Sequence, residues 1–221
     1  MATNRNPTPA HEDYLMALLR LGRDGRCVPT TELAEFLSVR KPSISGMLKK
    51  LGEAGLVDYV PRGGARLSRR GRAAGLKVLR RHRLLETYLV EKLGLDWSEV
   101  HEEADVLEHH VSDRIVEAMD RALGYPTEDP HGRPIPDTRG RIASRDLTPL
   151  RDLETGQTAI VREVRAEDAD RLRRWKDLGL VPGARVEMRA REDMEDMLHL
   201  RVSKDDIHTS PKGIEGIMVD R

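Results

Sequence analysis

Residues 30–68 read TTELAEFLSVRKPSISGMLKKLGEAGLVDYVPRGGARLS, and their pattern predicts the architecture of the first part of this chain. From Thr30 the apolar residues have the spacing of a short amphipathic helix, and Pro42 stands in the first turn of a second helix, where its missing N–H is harmless. Two short helices joined by a tight link predict a helix-turn-helix. The closing part, LVDYVPRGGARLS, has two β-like runs around a proline- and glycine-rich turn, which predicts a wing.

Amphipathic helices are predicted on both sides of this motif. The segment HEDYLMALLRLG has helical apolar spacing and ends at Gly22. A long helix is predicted from Ser68 or Arg69 to about Leu93, although its early glycines disfavour an unbroken start. Two more helical stretches follow, with an apolar stripe of the kind that packs against a partner. The stripe consists of Val100, Ala104, Leu107, Val111, Ile115 and Met119.

The composition and periodicity of the sequence change after residue 123. Residues 124–148 are rich in proline and glycine and lack periodicity, which predicts an extended linker between domains. The remainder alternates apolar and polar residues in TAIVREV, ARVEMRA and MLHLRVS, with one helical piece, ADRLRRWKDLGL, and predicts a small β-barrel domain. We therefore predict a mainly α protein with a winged helix-turn-helix at 1–73, a helical domain at 74–140 and a β-barrel domain at 147–221.

Charge is unevenly distributed along the chain. The 38 basic and 38 acidic residues balance, but basic side chains concentrate up to Arg81 and acidic ones between Asp96 and Asp120. The first region should attract phosphate and the second should attract cations. Cys27 is the only cysteine, so no disulfide can form within the chain, and no apolar run is long enough to span a bilayer. We expect a cytoplasmic protein without membrane partners.

The predicted recognition helix presents small hydroxyl, glycine and basic residues opposite its apolar face. Such a surface lets a helix enter the major groove, where hydroxyls contact base edges and cations contact phosphates. Helix-turn-helix folds also occur in proteins that bind no nucleic acid, but the basic wing favours DNA. The predicted DNA-binding residues are Arg40, Pro42, Ser43, Ser45, Lys49, Arg62 and Arg66.

Histidines and carboxylates recur at helical spacing in HRLLE and HEEADVLEHH. The candidates are His82 and Glu86 on one helix and His101, Asp105, Glu108 and His109 on the next. Residues three and four apart project from the same face of a helix, so each set can converge on one ion. Imidazole and carboxylate without thiolate suit six-coordinate Mn(II) or Fe(II) and, less selectively, Co(II), Ni(II) or Zn(II). A divalent metal site is therefore predicted.

The chain resembles the diphtheria toxin repressor family, in its manganese-responsive branch, through the winged helix-turn-helix and the motifs HEDYL, RRHRLLETYLVEKLGLDWSEVHEEAD, LEHHVSD, DPHGRPIP and LGLVPG. The resemblance implies a homodimeric repressor of manganese and iron homeostasis genes that binds a palindromic double-stranded operator once Mn(II), or alternatively Fe(II), is bound. It also implies an SH3-like terminal domain similar to the ferrous iron transport A module. Whether that domain braces the dimer, covers the metal or binds a partner stays open.

The family's metal ligands map onto two sets of residues in this sequence. The first set is His82, Glu86 and His101, and the second is Asp13, Asp105, Glu108 and His109. In iron-type members the positions of Asp13 and Asp105 carry methionine and cysteine, so two oxygens in place of two sulfurs favour manganese. Because Asp13 lies on the first helix, one ion held by the whole second set would link the DNA-binding and dimerisation domains and restrict the spacing of the recognition helices.

Three features depart from the family pattern. Met16 stands where some manganese regulators carry a glutamate, so a two-metal pair built on that residue is not expected. Asp168 approximately matches a carboxylate ligand from the terminal domain, but Arg171 occupies the position of the accompanying amide ligand. Four further histidines have no matching ligand role and are expected to be exposed or structural. They are His110, His131, His199 and His208.

Two other functions would use the same cluster. A metal-dependent hydrolase needs an open coordination position and a general base, for which Glu102 or Glu103 is available. A metal buffer needs neither a recognition helix nor a basic wing. Since neither alternative accounts for the DNA-binding features, we expect a repressor and not an enzyme.

Overall fold

The computed structural model describes residues 7–22, 25–61, 63–166, 168–192 and 197–220. The chain folds as two compact units. Unit 1 contains the described residues up to His82, together with Glu108–His110 and Pro136–Arg141. Unit 2 contains Arg83–Leu107, Val111–Ile135 and the described residues from Ile142 onwards. Within the described ranges, no helix combines the length and the apolar character needed to cross a membrane.

Unit 1 contains the predicted winged helix-turn-helix. Its elements are helices α1 (Pro9–Leu21), α2 (Thr30–Phe36) and α3 (Lys41–Glu53) and strands β1 (Val57–Val60) and β2 (Gly64–Leu67). Thr8 caps α1, and Pro42 lies in the first turn of α3 as expected from its missing N–H. Strands β1 and β2 pair antiparallel as the wing. The apolar faces of the helices meet in one core that includes Leu15, Leu33 and Ile44.

Helix α4 (Arg69–Leu93) is unbroken, although glycine early in a helix was expected to weaken it. A Cβ on Gly71 would lie 1.8 Å from the backbone oxygen of Leu56. Ser68 and Leu56 also share a backbone hydrogen bond of 3.0 Å just before the helix begins. The glycine is therefore needed for the close approach of α4 to the end of the helix-turn-helix.

The helical part of unit 2 consists of the second half of α4 with α5 (Val100–Leu107) and α6 (Asp113–Ala122). The predicted stripe is divided between two environments. Ala104 and Met119 are buried in a core of this chain with Leu84, whereas Ile115 is 49% exposed. Only part of the stripe is thus available to a partner, because the rest closes the core of the helical domain.

Part of the segment predicted as an extended linker is folded and buried. Asp129 Oδ1 accepts hydrogen bonds from the backbone N–H groups of His131 (2.8 Å) and Arg133 (2.9 Å). His131 and Ile135 are buried. A side chain that satisfies neighbouring N–H groups allows irregular backbone to lie inside a protein, which periodicity alone does not reveal.

The C-terminal part of unit 2 is a six-stranded antiparallel sheet with the order β3-β8-β4-β5-β6-β7. The strands are β3 (Thr148–Pro149), β4 (Thr158–Val164), β5 (Arg185–Glu192), β6 (Met197–Val202), β7 (Asp205–Thr209) and β8 (Ile217–Asp220), and helix α7 (Ala169–Asp177) follows β4. Trp175 of α7 is fully buried among the apolar side chains of the sheet. The three predicted strands correspond to β4, β5 and β6, and the predicted mainly α fold with a terminal β domain is confirmed.

Candidate metal centre and DNA-binding face

His109 lies at the centre of a carboxylate cluster in unit 1. Its Nε2 is 2.9 Å from Asp13 Oδ1 and 3.6 Å from Glu108 Oε1. Asp13 is on α1, and Glu108 and His109 are in the turn after α5. The fold therefore brings together three members of the second predicted ligand set, although α1 and the turn after α5 are far apart in sequence.

A third carboxylate contacts the other ring nitrogen of His109. Nδ1 lies 2.8 Å from Glu12 Oε2, a contact that spans 97 positions of sequence. Partial burial by itself lowers the pKa of His109, but the hydrogen bond to Glu12 and the charges of Glu108 and Asp13 outweigh it and raise the pKa above its ordinary value. The same negative surroundings favour a divalent cation at Nε2.

His82 contacts Glu108 directly. His82 Nδ1 is 2.8 Å from Glu108 Oε2, and both side chains are buried. The sequence-based assignment divides these residues between two ligand sets. One member of each set is therefore in contact with a member of the other within unit 1.

The acidic partners of His101 are in unit 2. His101 Nδ1 lies 3.1 Å from Glu86 Oε1, and its Nε2 lies 3.7 Å from Asp105 Oδ2, one helical turn along α5. Glu86 and His101 are buried, whereas the Asp105 side chain is 53% exposed. Glu86 follows His82 by one turn of α4, so these two side chains share a helix face.

Sequence reasoning missed a second partner set for Glu86. Ligand atoms of Glu86, Asp129 and His131 lie within 4.8 Å of one another, and all three residues are buried. His131 Nε2 donates to the backbone oxygen of Trp97 at 2.9 Å, while Nδ1 has no hydrogen-bond partner among the described residues. Burial lowers the pKa of His131 to about 4, so the imidazole is neutral and Nδ1 carries a lone pair. His131 is structural, as expected, but it is also a possible ligand.

The lone pair of His131 lies beside negative groups. Nδ1 is 3.9 Å from both Glu86 Oε2 and Asp129 Oδ1. Burial and the charge of Glu86 raise the pKa of Asp129 to about 6. A divalent cation fits this set of nitrogen and oxygen donors. The D-x-H spacing in DPHGRPIP was the available signal, but the expectation of an extended linker concealed it.

Asp168, the candidate ligand of the terminal domain, lies at the start of α7 in unit 2. Its exposed carboxylate accepts a hydrogen bond from the N–H of Asp170 at 3.0 Å and caps α7. Among the described residues, it belongs to no group of three or more possible ligands. The carboxylate satisfies the end of the helix, and the assignment of Asp168 as a ligand stays a prediction. Met16 is buried and packs in a core with Leu76 and Leu79.

The predicted DNA-binding residues of α3 lie on its outer face. Arg40 is the N-cap residue, and Arg40, Pro42, Ser43 and Lys49 are exposed. Ser45 is half-buried. The opposite face buries Ile44, Leu48 and Leu51 in the core of unit 1. Among the described residues, the outer face of α3 is therefore polar, basic and exposed.

The wing presents fewer free charges than its sequence suggests. Arg66 Nε lies 3.1 Å from Asp58 Oδ2 on the paired strand, and both side chains are more than half exposed. Phosphate would therefore compete with Asp58 for Arg66. Arg62, the other predicted wing contact, lies outside the described residues.

Comparison with known protein families assigns all three parts of the chain. Residues 8–65 match the iron-dependent repressor N-terminal DNA-binding domain, and residues 68–137 match the iron-dependent repressor metal-binding and dimerisation domain. Residues 148–221 match the FeoA domain, in agreement with the SH3-like fold expected for the terminal sheet.

Individual relatives agree with this assignment. The iron-dependent repressor IdeR of Mycobacterium leprae (strain TN) is 33% identical over 187 residues, which cover 79% of this chain and 81% of the relative. A solved manganese-dependent transcriptional repressor in complex with manganese is 35% identical, with a TM-score of 0.87 and coverage of 95% of this chain and 98% of that one. The structure of ScaR with bound Zn²⁺ is 31% identical, with a TM-score of 0.78 and coverage of 96% and 99%.

These similarities give no support to a hydrolase, and they extend over the DNA-binding, metal-binding and terminal domains. The chain therefore belongs to the iron-dependent repressor family, which includes the diphtheria toxin repressors, and is a metal-dependent homodimeric repressor of transcription that binds DNA and is not an enzyme.

Proposed function

We propose that this repressor senses Mn(II) in the cell, with Fe(II) as the alternative ion, and that Zn(II), Co(II) and Ni(II) substitute in vitro. The observation that carries the proposal is the contact between His109 Nε2 and Asp13 Oδ1, 2.9 Å apart, beside Glu108. Oxygen-rich sites without sulfur favour manganese over ions that prefer softer ligands. The similarity to a solved repressor in complex with manganese supports this choice.

Two ligand sets are proposed. His82, Glu86 and His101 form the first, because His82 and Glu86 share a face of α4 and Glu86 contacts His101. Asp13, Asp105, Glu108 and His109 form the second, in which Asp105 precedes Glu108 by three residues. A bound divalent cation supplies positive charge that neutralises these carboxylates.

Glu86 has an alternative pair of partners in Asp129 and His131. The lone pair of His131 Nδ1 and the buried carboxylates support an ion held by Glu86, Asp129 and His131 in place of the first set. Counting bound Mn(II) in His101→Ala and His131→Ala variants separates the two. Loss only in His101→Ala supports the first set, and loss only in His131→Ala supports the alternative.

Asp13 is the proposed link between metal and DNA. We propose a DNA-binding domain at residues 1–73, a metal-binding and dimerisation domain at 74–140 and a terminal domain at 147–221. Asp13 lies on α1 of the DNA-binding domain. Glu108 and His109 belong to the metal-binding and dimerisation domain. When Asp13 and His109 bind the same ion, α1 is held against the turn after α5. Holding α1 restricts the recognition helix α3, which packs in the same core as α1.

The proposed operator is palindromic double-stranded DNA. A two-fold dimer presents two α3 helices to half-sites about one helical turn, or about 34 Å, apart. The exposed side chains of Val106 and Ile115, 64% and 49% exposed, are the proposed dimer contacts of this chain. The proposed target genes are those of manganese and iron homeostasis, and the proposed location is the cytoplasm.

Base and phosphate contacts are assigned to different residues. Ser43 and Ser45 of α3 are proposed to contact bases, whereas Arg40 and Lys49, with Arg62 and Arg66 of the wing, contact phosphates. Pro42 supplies an apolar surface at the start of α3. Phosphate contacts should determine how strongly affinity depends on salt.

The test is a fluorescence-anisotropy titration of palindromic promoter DNA at fixed salt, with chelator and then with Mn(II), anaerobic Fe(II) or Zn(II). We expect Mn(II) to tighten binding and Asp13→Ala or Asp105→Ala to abolish that tightening. A coupling of about 1–3 kcal/mol between metal and DNA is ordinary for allosteric proteins. Equal affinity with chelator and with every metal would exclude the sensing mechanism.

A further inference from the structure

The two ring nitrogens of His109 contact different carboxylates. Nε2 lies 2.9 Å from Asp13 Oδ1 and 3.6 Å from Glu108 Oε1, on the side of the proposed ligands. Nδ1 lies 2.8 Å from Glu12 Oε2. Because the two nitrogens of an imidazole point in diverging directions, an ion bound at Nε2 does not reach Nδ1. Glu12 therefore contacts a proposed ligand from outside the ligand set.

Arg81 holds Glu12 in this position. Arg81 Nη1 is 3.5 Å from Glu12 Oε2 and donates a hydrogen bond of 2.5 Å to the backbone oxygen of Glu108. The side chains of Glu12, Arg81 and His109 are only 13%, 11% and 13% exposed. Such limited exposure distinguishes this group from a solvated surface ion pair, which adopts many geometries. The contacts join α1, α4 and the turn after α5 in a closed loop of interactions.

We propose that Glu12, held by Arg81, is a positioning residue for metal binding at His109. By accepting the Nδ1–H, Glu12 selects the tautomer whose lone pair is on Nε2 and fixes the ring toward Asp13 and Glu108. Carboxylates that orient a metal-binding histidine in this way typically change metal affinity by about 10–100-fold. The inference rests on the proposed second ligand set.

Glu12 also gives α1 a second connection to the sensing site. Asp13 would bind the ion itself, while its neighbour Glu12 orients the histidine that binds the same ion. Both residues move with α1 because they are adjacent on one helix. The DNA-binding domain would therefore respond to the metal through two side chains and not one.

The first measurement is Mn(II) affinity of the full-length protein, obtained from the electron paramagnetic resonance signal of free Mn(II). Glu12→Ala is expected to weaken binding by about 10–100-fold. Glu12→Gln keeps an oxygen that accepts the Nδ1–H and is expected to recover much of the loss. Glu35→Ala, at an exposed glutamate of α2, is the matched control and should leave the affinity unchanged.

The second measurement is the tautomer of His109, obtained by NMR of ¹⁵N-histidine-labelled protein loaded with diamagnetic Zn(II). In the unsubstituted protein we expect protonated Nδ1 and a metal-shifted Nε2 resonance. In Glu12→Ala we expect a mixture of tautomers or a broadened His109 signal. A purely structural role for Glu12 would leave this signature unchanged.

The outcomes separate this inference from the proposed function. If Asp13→Ala and His109→Ala leave Mn(II) affinity unchanged, the proposed ligand set itself is wrong. If those variants lose binding but Glu12→Ala does not, Glu12 is no positioning residue. Equal losses in Glu12→Ala and Glu12→Gln with an unaltered tautomer would attribute the effect to net charge and overturn the inference.

Discussion

The buried imidazole of His82 lies 2.8 Å from the carboxylate of Glu108, although the two residues belong to different proposed ligand sets. Glu108 Oε1 is also 3.6 Å from His109 Nε2, so one carboxylate has a histidine near each oxygen. A substitution of Glu108 should therefore affect both His82 and His109.

Glu108→Ala is expected to weaken Mn(II) binding and also to destabilise the metal-free protein by about 3 kcal/mol, because it removes one member of a buried ionisable pair. Asp105→Ala is the control, since the Asp105 side chain is 53% exposed. Its cost in stability should stay within about 0.5 kcal/mol, while metal-dependent DNA binding is lost. Urea denaturation in chelator measures both costs. Equal destabilisation by the two substitutions would contradict the role assigned to the buried pair.

Gly46→Ala is expected to stabilise the protein by about 1 kcal/mol and to weaken operator binding by roughly tenfold. A Cβ at Gly46 has nothing within 4 Å, so packing within the chain does not require a glycine in the middle of α3. Close approach of the helix to DNA does provide a reason. Thermal unfolding and anisotropy titration measure the two effects.

Gly71→Ala is the matched control for that substitution. There a Cβ would lie 1.8 Å from the Leu56 oxygen, so alanine should destabilise the fold strongly. If Gly46→Ala left operator affinity unchanged, the glycine would have no role in docking α3 on DNA.

Asp96→Asn is expected to remove a pH-dependent part of the stability of unit 2. Hydrogen bonds from Lys176 and Ser98 lower the pKa of Asp96 to about 2. A carboxylate whose pKa is lowered on folding stabilises the protein above its unfolded pKa of about 3.9, and this contribution is lost as the pH falls toward 2. Because Asp96 is partly exposed, the effect should be about 1 kcal/mol or less.

The pH experiment compares Asp96→Asn with the unsubstituted protein by urea denaturation at pH 7.0, 4.5 and 3.0. The difference in unfolding free energy should be the same at the two higher values and smaller at the lowest. A difference that stays constant down to pH 3.0 would show that the Asp96 carboxylate does not contribute through its charge.

Gly132→Ala is expected to destabilise unit 2 by at least about 2 kcal/mol. Gly132 has a φ of +78°, and a Cβ there would lie 1.8 Å from the backbone oxygen of Arg162 in β4. The neighbouring His131 backbone oxygen accepts a hydrogen bond of 2.9 Å from Val164 N–H. Alanine at position 132 would therefore also disturb the packing of the His131 turn against β4.

Gly124→Ala separates backbone strain from the clash. Its φ is +73°, but nothing lies within 4 Å of the added Cβ, so only about 1 kcal/mol of left-handed strain is expected. Hydrogen exchange in β4, residues 158–164, measures whether the His131 turn still packs against this strand. Equal effects of the two substitutions would exclude the predicted clash with Arg162.

Several parts of the fold could be predicted because their signals are local. Helix α3, with Pro42 in its first turn, is predicted by the helical spacing of its apolar residues. Strands β4, β5 and β6 are predicted by the alternation of apolar and polar residues. The turn around Asp129 could not be predicted in this way, because its burial depends on side-chain hydrogen bonds to particular N–H groups. Asp168 likewise required the structure, since local spacing does not show that its carboxylate caps α7.

Helical spacing in the sequence is enough to establish which side chains share a helix face. His82 and Glu86, or His101 and Asp105, are neighbours wherever the helix lies, because four residues make about one turn. The contacts of Glu12 and Asp13 with His109, and of Glu86 with His131, became evident from the tertiary structure. Contacts across such distances in the chain depend on how whole elements pack, and packing is set by the complementarity of buried faces and not by local spacing.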